Sequence, residues 1–393
     1  MPTSRASSRL SSSLTGLALA ALLSCSAALA DPLYAVTVLG AAGSSAAGIN
    51  SAGAVVGQFA NGDASHAFVY GAGGFLDLGT LGGAGSAANG INDSGAIVGW
   101  ADTGAGQSHA FLYANGAMSD LGTLGGAGSV AWAINNGGVI VGSASNGSEP
   151  VPYYQQAFSY SNGTMQNLGT LPGGLGSDAY TINGHGMISG SSYQGPETVP
   201  EYPRHATAFG NGTVTEIAPL VNGVVYGIND LDQMVGRVGQ FFGTRAFLYA
   251  NGVATELPVL DALIGAGQAN DINNLGQVVG GSGVMVSDSQ WNYHGFLYNA
   301  DGSLRDLNAL IDPATGWEIT DATGINDAGQ IAGTACKGTE CFAVRLDLVS
   351  AVPEPGTWAM LTGALLLFSL RGLHGLRRRR PAWQADGRGG APA

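Results

Sequence analysis

Between residues 31 and 350 the apolar positions come in short runs punctuated by Gly, Asn and Asp, a pattern of strands and tight turns. One nine-residue phrase organises them: Ile-Asn-x-x-Gly-x-apolar-x-Gly. Its Ile stands at 49, 91, 134, 182, 228, 272 and 325, an average spacing of 46 residues. Its closing Gly is present in all seven copies, at 57, 99, 142, 190, 236, 280 and 333. Self-similarity at this period marks a chain of identical supersecondary units.

The second copy shows what one unit is. Small residues from Ser86 lead to Ile91, and Asn92 to Gly95 then suit a tight turn. Ile97 and Val98 continue as a second strand. A polar loop precedes the third strand, His109 to Tyr113, and Asn115-Gly116 is a strong hairpin signal. Met118 to Leu121 makes a fourth strand. The third strand is apolar on both faces, so neighbouring sheets must cover it. Radial packing of four-stranded blades does this, which predicts an all-β, seven-bladed β-propeller over residues 31–350. A linear β-solenoid is the alternative.

The chain ends predict closure. A spare strand, Tyr34 to Leu39, precedes the first unit, and the last unit lacks a fourth strand after Phe342 to Leu346. Placing the spare in the gap completes seven blades and removes an exposed sheet edge.

The flanks read as targeting segments. Residues 1–30 carry Arg5 and Arg9, an apolar stretch from Leu14 to Leu23, and Ala28-Leu29-Ala30, the pattern of a signal peptide cut after Ala30. A lipoprotein site at Cys25 is a poorer match. Residues 31–350 hold 6 Lys and Arg against 25 Asp and Glu, a net charge of −19. That balance argues against nucleic acid and anionic membrane surfaces as partners. Of the three cysteines, Cys336 and Cys341 remain after signal removal, and an oxidising compartment predicts a disulfide between them.

Residues 351–380 form a third segment. Pro353-Glu354-Pro355 precedes an uncharged apolar run of 13 residues, Trp358 to Leu370, and Arg377, Arg378, Arg379 and Arg380 close it. A spanning helix needs about 20 residues, and extension to Leu376 with Arg371 snorkelling approaches this. The arginines would hold that end in the cytoplasm. Residues 381–393 read as a disordered tail. The segment resembles the PEP-CTERM sorting signal of Gram-negative bacteria. The resemblance implies signal peptidase and an exosortase as processing partners, cleavage near Pro353-Glu354-Pro355, a transient stay in the inner membrane, and release to the cell surface or matrix. The repeats resemble the HAF family of extracellular repeats, named for His-Ala-Phe. That tripeptide stands here at His66 to Phe68 and His109 to Phe111, and in altered form at Gln156, Thr207, Arg245, His294 and Glu340. The resemblance implies a surface or matrix protein and carries no catalytic residues.

No phosphate loop, nucleophile elbow or His-Glu-x-x-His motif is present, and no cofactor is expected. His66, His109 and His294 occupy equivalent positions in different blades, too far apart to share an ion, and read as polar residues opening a strand. The Asn-Asp turns lack the alternating carboxylates of a calcium loop. The variable loops lie on one face of a propeller and carry Trp100, Tyr193, Tyr202, Trp291, Tyr293 and Trp317, together with carboxylates such as Glu197 and Glu318. Aromatics and carboxylates on loops above a rigid scaffold suit recognition of sugar rings or of another surface protein. The alternatives are rings that pack the loops down, and a paired-carboxylate carbohydrate-active enzyme.

Overall fold

The computed structural model describes residues 34–147, 155–194, 203–210, 212–239, 243–287 and 290–349. Residues 1–30, read from sequence as a signal peptide ending at Ala30, lie outside them, as do Tyr202, Pro353, Glu354, Pro355, Arg377 to Arg380 and residues 381–393. Among the described residues no helix is long and apolar enough to cross a membrane.

Seven antiparallel four-stranded sheets follow one another along the chain. Blade 1 is β2 (Ser45–Ile49), β3 (Val55–Asn61), β4 (Ala64–Gly71) and β5 (Gly74–Gly79). Blade 2 is β6 (Gly82–Ile91), β7 (Ile97–Thr103), β8 (Ser108–Ala114) and β9 (Ala117–Asp120). Blade 3 is β10 (Ser129–Ile134), β11 (Ile140–Ala144), β12 (Gln156–Ser161) and β13 (Thr164–Asn167). Blade 4 is β14 (Gly176–Ile182), β15 (Ile188–Tyr193), β16 (Arg204–Gly210) and β17 (Thr213–Val221). Blade 5 is β18 (Val224–Ile228), β19 (Met234–Val238), β20 (Arg245–Ala250) and β21 (Val253–Glu256). Blade 6 is β22 (Gly267–Ile272), β23 (Val278–Ser287), β24 (Gln290–Tyr298) and β25 (Leu304–Asp306). Blade 7 is β26 (Glu318–Ile325), β27 (Ile331–Lys337) and β28 (Glu340–Leu348), completed by β1 (Tyr34–Val38). The spare N-terminal strand therefore fills the gap, with Tyr34 opposite Leu348 and Val38 opposite Val344. The first strand of each blade touches the first strands of both neighbours, and β26 touches β2, so the fold is a closed seven-bladed propeller.

The phrase Ile-Asn explains the closure in detail. Each Asn does two jobs. Its Oδ1 accepts the N–H four residues on, at 2.9–3.0 Å, and pins the turn between the first two strands. Its Nδ2 donates to the backbone carbonyl of the next blade's Asn. The bonds run Asn50 to Asn92 to Asn135 to Asn183 to Asn229 to Asn273 to Asn326 and back to Asn50, at 3.0–3.2 Å. All seven side chains are buried, 3–7 % exposed. The turn also needs a left-handed residue. Gly supplies it in six copies, and Asp232 takes it with φ 56° in blade 5.

The core lies between blades. Phe111 packs with Val56, Ala67 and Leu78 of blade 1, and Phe158 with Val98, Ala110 and Leu121 of blade 2. Register corrects the reading of the third strand in two blades. The closing Gly faces Phe68, Phe111, Phe158, Phe247 and Phe296, but Gly190 faces Thr207 and Gly333 faces Val344. The equivalents of His-Ala-Phe are therefore His205 to Thr207 and Phe342 to Val344, two residues away from the positions Thr207 and Glu340 taken from sequence. The buried small residue in the middle decides this: Ala67 N–H donates to Ser86 Oγ of the next blade, and Ala343 N–H donates to Ser44 Oγ in the same way.

With the register corrected, four blades carry His at that position, and each His meets an acid on its own fourth strand. The pairs are His66–Asp77 at 3.0 Å, His109–Asp120 at 2.8 Å, His205–Glu216 at 2.9 Å and His294–Asp306 at 2.8 Å. His294 also approaches Glu318 of blade 7 at 3.4 Å. The disulfide Cys336–Cys341 joins β27 to β28.

Two expectations follow. Asn135→Asp keeps the turn acceptor but loses the donor to Asn183, leaving a buried carbonyl facing a carboxylate. It should destabilise by about 1–3 kcal/mol in urea unfolding, while exposed Ser119→Ala should stay within about 0.5 kcal/mol. The second concerns pH. The bond to Asp306 raises the His294 pKa against partial burial, and Glu318 adds to it. A raised folded pKa stabilises fully below the unfolded value of about 6.5 and fades as pH rises through the folded one. The melting-temperature gap between wild type and His294→Gln should therefore be wider at pH 6 than at pH 9.

Candidate functional site: the axial channel

The seven innermost strands surround the axis, and each carries a bulge two residues before its Ile. The bulged residues are Ala47, Asn89, Trp132, Tyr180, Tyr226, Asn270 and Thr323. A bulge leaves its extra residue out of the ladder and re-aims its side chain. Each of these residues is half-buried, while its predecessor (Ala46, Ala88, Ala131, Ala179, Val225, Ala269 and Ala322) is buried. The bulged side chains therefore face the channel. The same distortion accounts for the closing Gly. A Cβ there would collide with the carbonyl oxygen of Ser45, Ala87, Val130, Asp178, Val224, Gln268 or Asp321 in the strand beside it.

The frame repeats, but the chemistry does not. In blades 3 to 5 the bulged residues are aromatic, and their rings meet, Trp132–Tyr180 at 5.5 Å and Tyr180–Tyr226 at 5.5 Å. Trp132 Nε1 donates to Ser143 Oγ at 3.2 Å. Tyr180 OH donates to Asp178 Oδ2 at 3.2 Å, and Arg204 Nη1 donates to Asp178 Oδ2, Ser191 Oγ and Tyr180 OH. Burial, and then the Asp178 charge, push the Tyr180 phenol well above its ordinary pKa, so it stays a neutral donor.

In blades 6 and 7 the wall is built of amides and carboxylates. Gln268 Nε2 donates to Asn270 Oδ1, and Asn270 Nδ2 donates to Asp321 Oδ1 at 3.0 Å. Asp271 accepts from the N–H groups of Ile272 and, across the blade junction, Ile325. It keeps a little accessible surface but is enclosed by protein, so burial dominates and pushes its pKa up to about 6 against those bonds. Burial likewise raises Asp321.

The mouth on the Ile-Asn side is a polar cavity of about 260 Å³. Above the Asn ring, residues one position later form a second, incomplete ring. Ser51 N–H donates to Asp93 Oδ1, Gly184 N–H to Asp230 Oδ1 and Asn274 N–H to Asp327 Oδ1. The aspartates of the Asn-Asp turns thus tie adjacent blades. Ser51 and Asn136 hold the Asp93 carboxyl below its ordinary range against slight burial.

The opposite face carries the loops singled out from sequence. Trp100 is not among them: it lies within β7, one residue past the closing Gly99, and shares a cleft of about 230 Å³ with Gln58 and the bulged Asn89, between blades 1 and 2. Trp291 and Tyr293 stand on the long β23–β24 hairpin, 40 % and 41 % exposed, their rings edge to face at 5.3 Å. Tyr193 is instead taken up by packing. It is 6 % exposed, its hydroxyl meets the Gln155 backbone, and the Arg204 guanidinium covers its ring. Trp317 is likewise taken up, with Phe342 at 5.5 Å and Lys337 over its ring. Trp132, Tyr180, Tyr226 and Asp271 were not singled out. For the three aromatics the available signal was their column: aligned on Ile-Asn, the position two before Ile varies from Ala to Trp.

No family model matches the chain, and no curated protein does. Solved structures do. The β-propeller domain of the Trilobed protease from Pyrococcus furiosus, with an open velcro topology, aligns at 9% identity and TM-score 0.47, over 80% of this chain and 98% of that one. TolB from Acinetobacter baumannii aligns at 12% identity and TM-score 0.40, over 58% of this chain and 55% of TolB. Oligogalacturonate lyase from Vibrio parahaemolyticus aligns at 10% identity and TM-score 0.37, over 81% and 94%. These likenesses are of fold alone, and the propeller assignment rests on the strand order itself.

Proposed function

We propose that the protein is an exported, non-enzymatic surface or matrix propeller that binds carbohydrate in its axial channel. The observation that carries this reading is the half-buried row Trp132, Tyr180 and Tyr226, flanked by Asp178, Arg204 and Asn270. Aromatic faces stack on the apolar faces of sugar rings, while amides, carboxylates and guanidinium groups bond to hydroxyls. Trp291 and Tyr293 would extend the surface outward on the loop face. A second reading, a carbohydrate-active enzyme, is favoured by the raised carboxylates Asp271 and Asp321 in the same wall.

Glycan-array screening followed by calorimetry tests the reading. Trp132→Ala should weaken binding by roughly 1–3 kcal/mol, the scale of losing one buried aromatic, and Trp291→Ala by less. Trp317→Ala should lower the melting temperature and leave affinity unchanged. Binding unaltered in both Trp132→Ala and Trp291→Ala, with the fold intact, would place the ligand elsewhere. Release of shortened sugars, lost in Asp271→Asn, would establish the enzyme reading.

Export rests on the terminal segments, and its test is the intact mass of surface-released protein. Mature chain should begin after Ala30 and lack everything beyond about residue 355, and replacing Arg377 to Arg380 with neutral residues should weaken membrane retention. A mass that includes Trp358 to Ala393 would make the tail a permanent anchor and remove the exosortase step.

A further inference from the structure

Blade 1 leaves open a space that blade 3 fills. In blade 3 the bulged Trp132 bonds through its indole to Ser143, one residue past the closing Gly, and its ring meets the bulged Tyr180 of the next blade at 5.5 Å. In blade 1 the bulged residue is Ala47, the residue past the closing Gly is Gln58, and the bulged residue of the next blade is Asn89. A cleft of about 230 Å³ stands there, with Ser45, Ala47, Gln58, Ala87, Asn89 and Trp100 in its lining. By the repeat, the cleft holds the place that an indole occupies between blades 3 and 4.

The cleft is open and uncharged. Ser45, Ala47, Gln58, Asn89 and Trp100 are half-buried, and no ionisable side chain lines it. Gln58 makes no side-chain hydrogen bond among the described residues, and its amide keeps contact with solvent. Asn89 Nδ2 donates to the Ala131 carbonyl at 2.8 Å, which fixes that amide and leaves Oδ1 as its unused acceptor. Ala47 and Ala87 supply methyl groups, and Trp100 supplies an indole. A volume of this size holds roughly eight waters at ~30 Å³ each, or a sugar substituent with part of its ring. One donor, one acceptor and a methyl floor in a neutral cleft are complementary to an acetamido group, which presents a carbonyl, an N–H and a methyl. A hydroxyl would leave the floor uncovered, and a carboxylate would meet no cation.

We propose that this cleft is a subsite for an N-acetylated amino sugar. The acetamido carbonyl accepts from Gln58 Nε2, its N–H donates to Asn89 Oδ1, and its methyl lies against Ala47 and Ala87 beside the Trp100 ring. This deepens the carbohydrate reading and rests on it. Asn89 bonds the backbone at Ala131, next to Trp132, so the cleft adjoins the start of the aromatic row on one stretch of channel wall.

The test is calorimetric titration of the full chain with tetrasaccharides of N-acetylglucosamine and of N-acetylgalactosamine. Each is compared with its glucose or galactose twin of the same linkage, in which a hydroxyl replaces the acetamido group. At least one acetamido form should bind roughly tenfold or more tighter than its twin, the scale of a fitted methyl with a hydrogen bond. Ala47→Trp, which gives blade 1 the side chain that blade 3 carries, should bring that form down to the affinity of its twin. Gln58→Leu, which keeps the size and removes the amide, should cut the preference about threefold or more. It carries the test alone if Ala47→Trp fails to fold. Trp132→Ala, on the aromatic row, should weaken both twins alike. Equal binding of the twins, or a preference undiminished in Gln58→Leu or in folded Ala47→Trp, would overturn the subsite while the channel remains a sugar site. Failure of every glycan, with or without the acetamido group, would overturn both.

Discussion

The structure depends on one hydrogen bond made seven times. An Asn amide has an acceptor and two donors, and here the acceptor is spent within the blade and a donor on the next blade. Folding a blade's first turn therefore presents the group that docks its neighbour. Because the last of these bonds runs from Asn326 to Asn50, the ring satisfies every member only when closed. The pairing of β1 with β28 closes the same circle at its rim, so inner and outer edges are locked independently. Buried amides make this lock selective, since a blade out of place would leave buried donors and carbonyls unpaired.

The bulge and the closing Gly are a second device, coupled to the first. Turning one residue out of the innermost strand brings a carbonyl onto the adjacent strand, and only Gly leaves room for it. The result is a scaffold that holds one side chain per blade toward the axis at constant height. Asn89 and Asn270, at two of those seven positions, donate to the next blade's backbone at Ala131 and Ala322, yet the seven positions demand no one residue type as the Ile-Asn and closing-Gly positions do. They are free to differ, and they run from Ala47 to Trp132. Function is expected where a repeat frame permits variation, and the channel is such a place.

Periodicity made the frame legible from sequence. Seven Ile-Asn phrases gave the blade count, and a spare strand opposite a missing one gave the closure. Cys336 and Cys341 fell on facing strands, as their spacing suggested. What sequence could not convey was register where the landmark had decayed. In blades 4 and 7 a Phe two residues from the true site, Phe209 and Phe342, drew the alignment, and His205 was missed as a member of the His–acid set. Nor does sequence show direction. Tyr193 and Trp317 look like any loop aromatic, but one is covered by Arg204 and the other packs on Phe342. The bulge, which depends on backbone path alone, hid the channel residues inside strands that read as core.

The distribution of charge then separates the two ends of the channel. At the Ile-Asn mouth the carboxylates of Asp93, Asp230 and Asp327 are occupied by backbone N–H groups of neighbouring blades, so their charge serves the ring. Deeper in the wall the pairing is uneven. Blades 6 and 7 hold Asp271 and Asp321 in surroundings that disfavour their charge, while in blade 4 Arg204 is paired with Asp178 beside Tyr180. A sevenfold frame with neutral positions would have no preferred orientation for a ligand. This one has a side of amides and carboxylates in blades 6 and 7 and an aromatic row in blades 3 to 5. Under the proposed carbohydrate reading, that asymmetry would orient a sugar ring, its flat face on the aromatic row and its hydroxyls toward the amides and carboxylates.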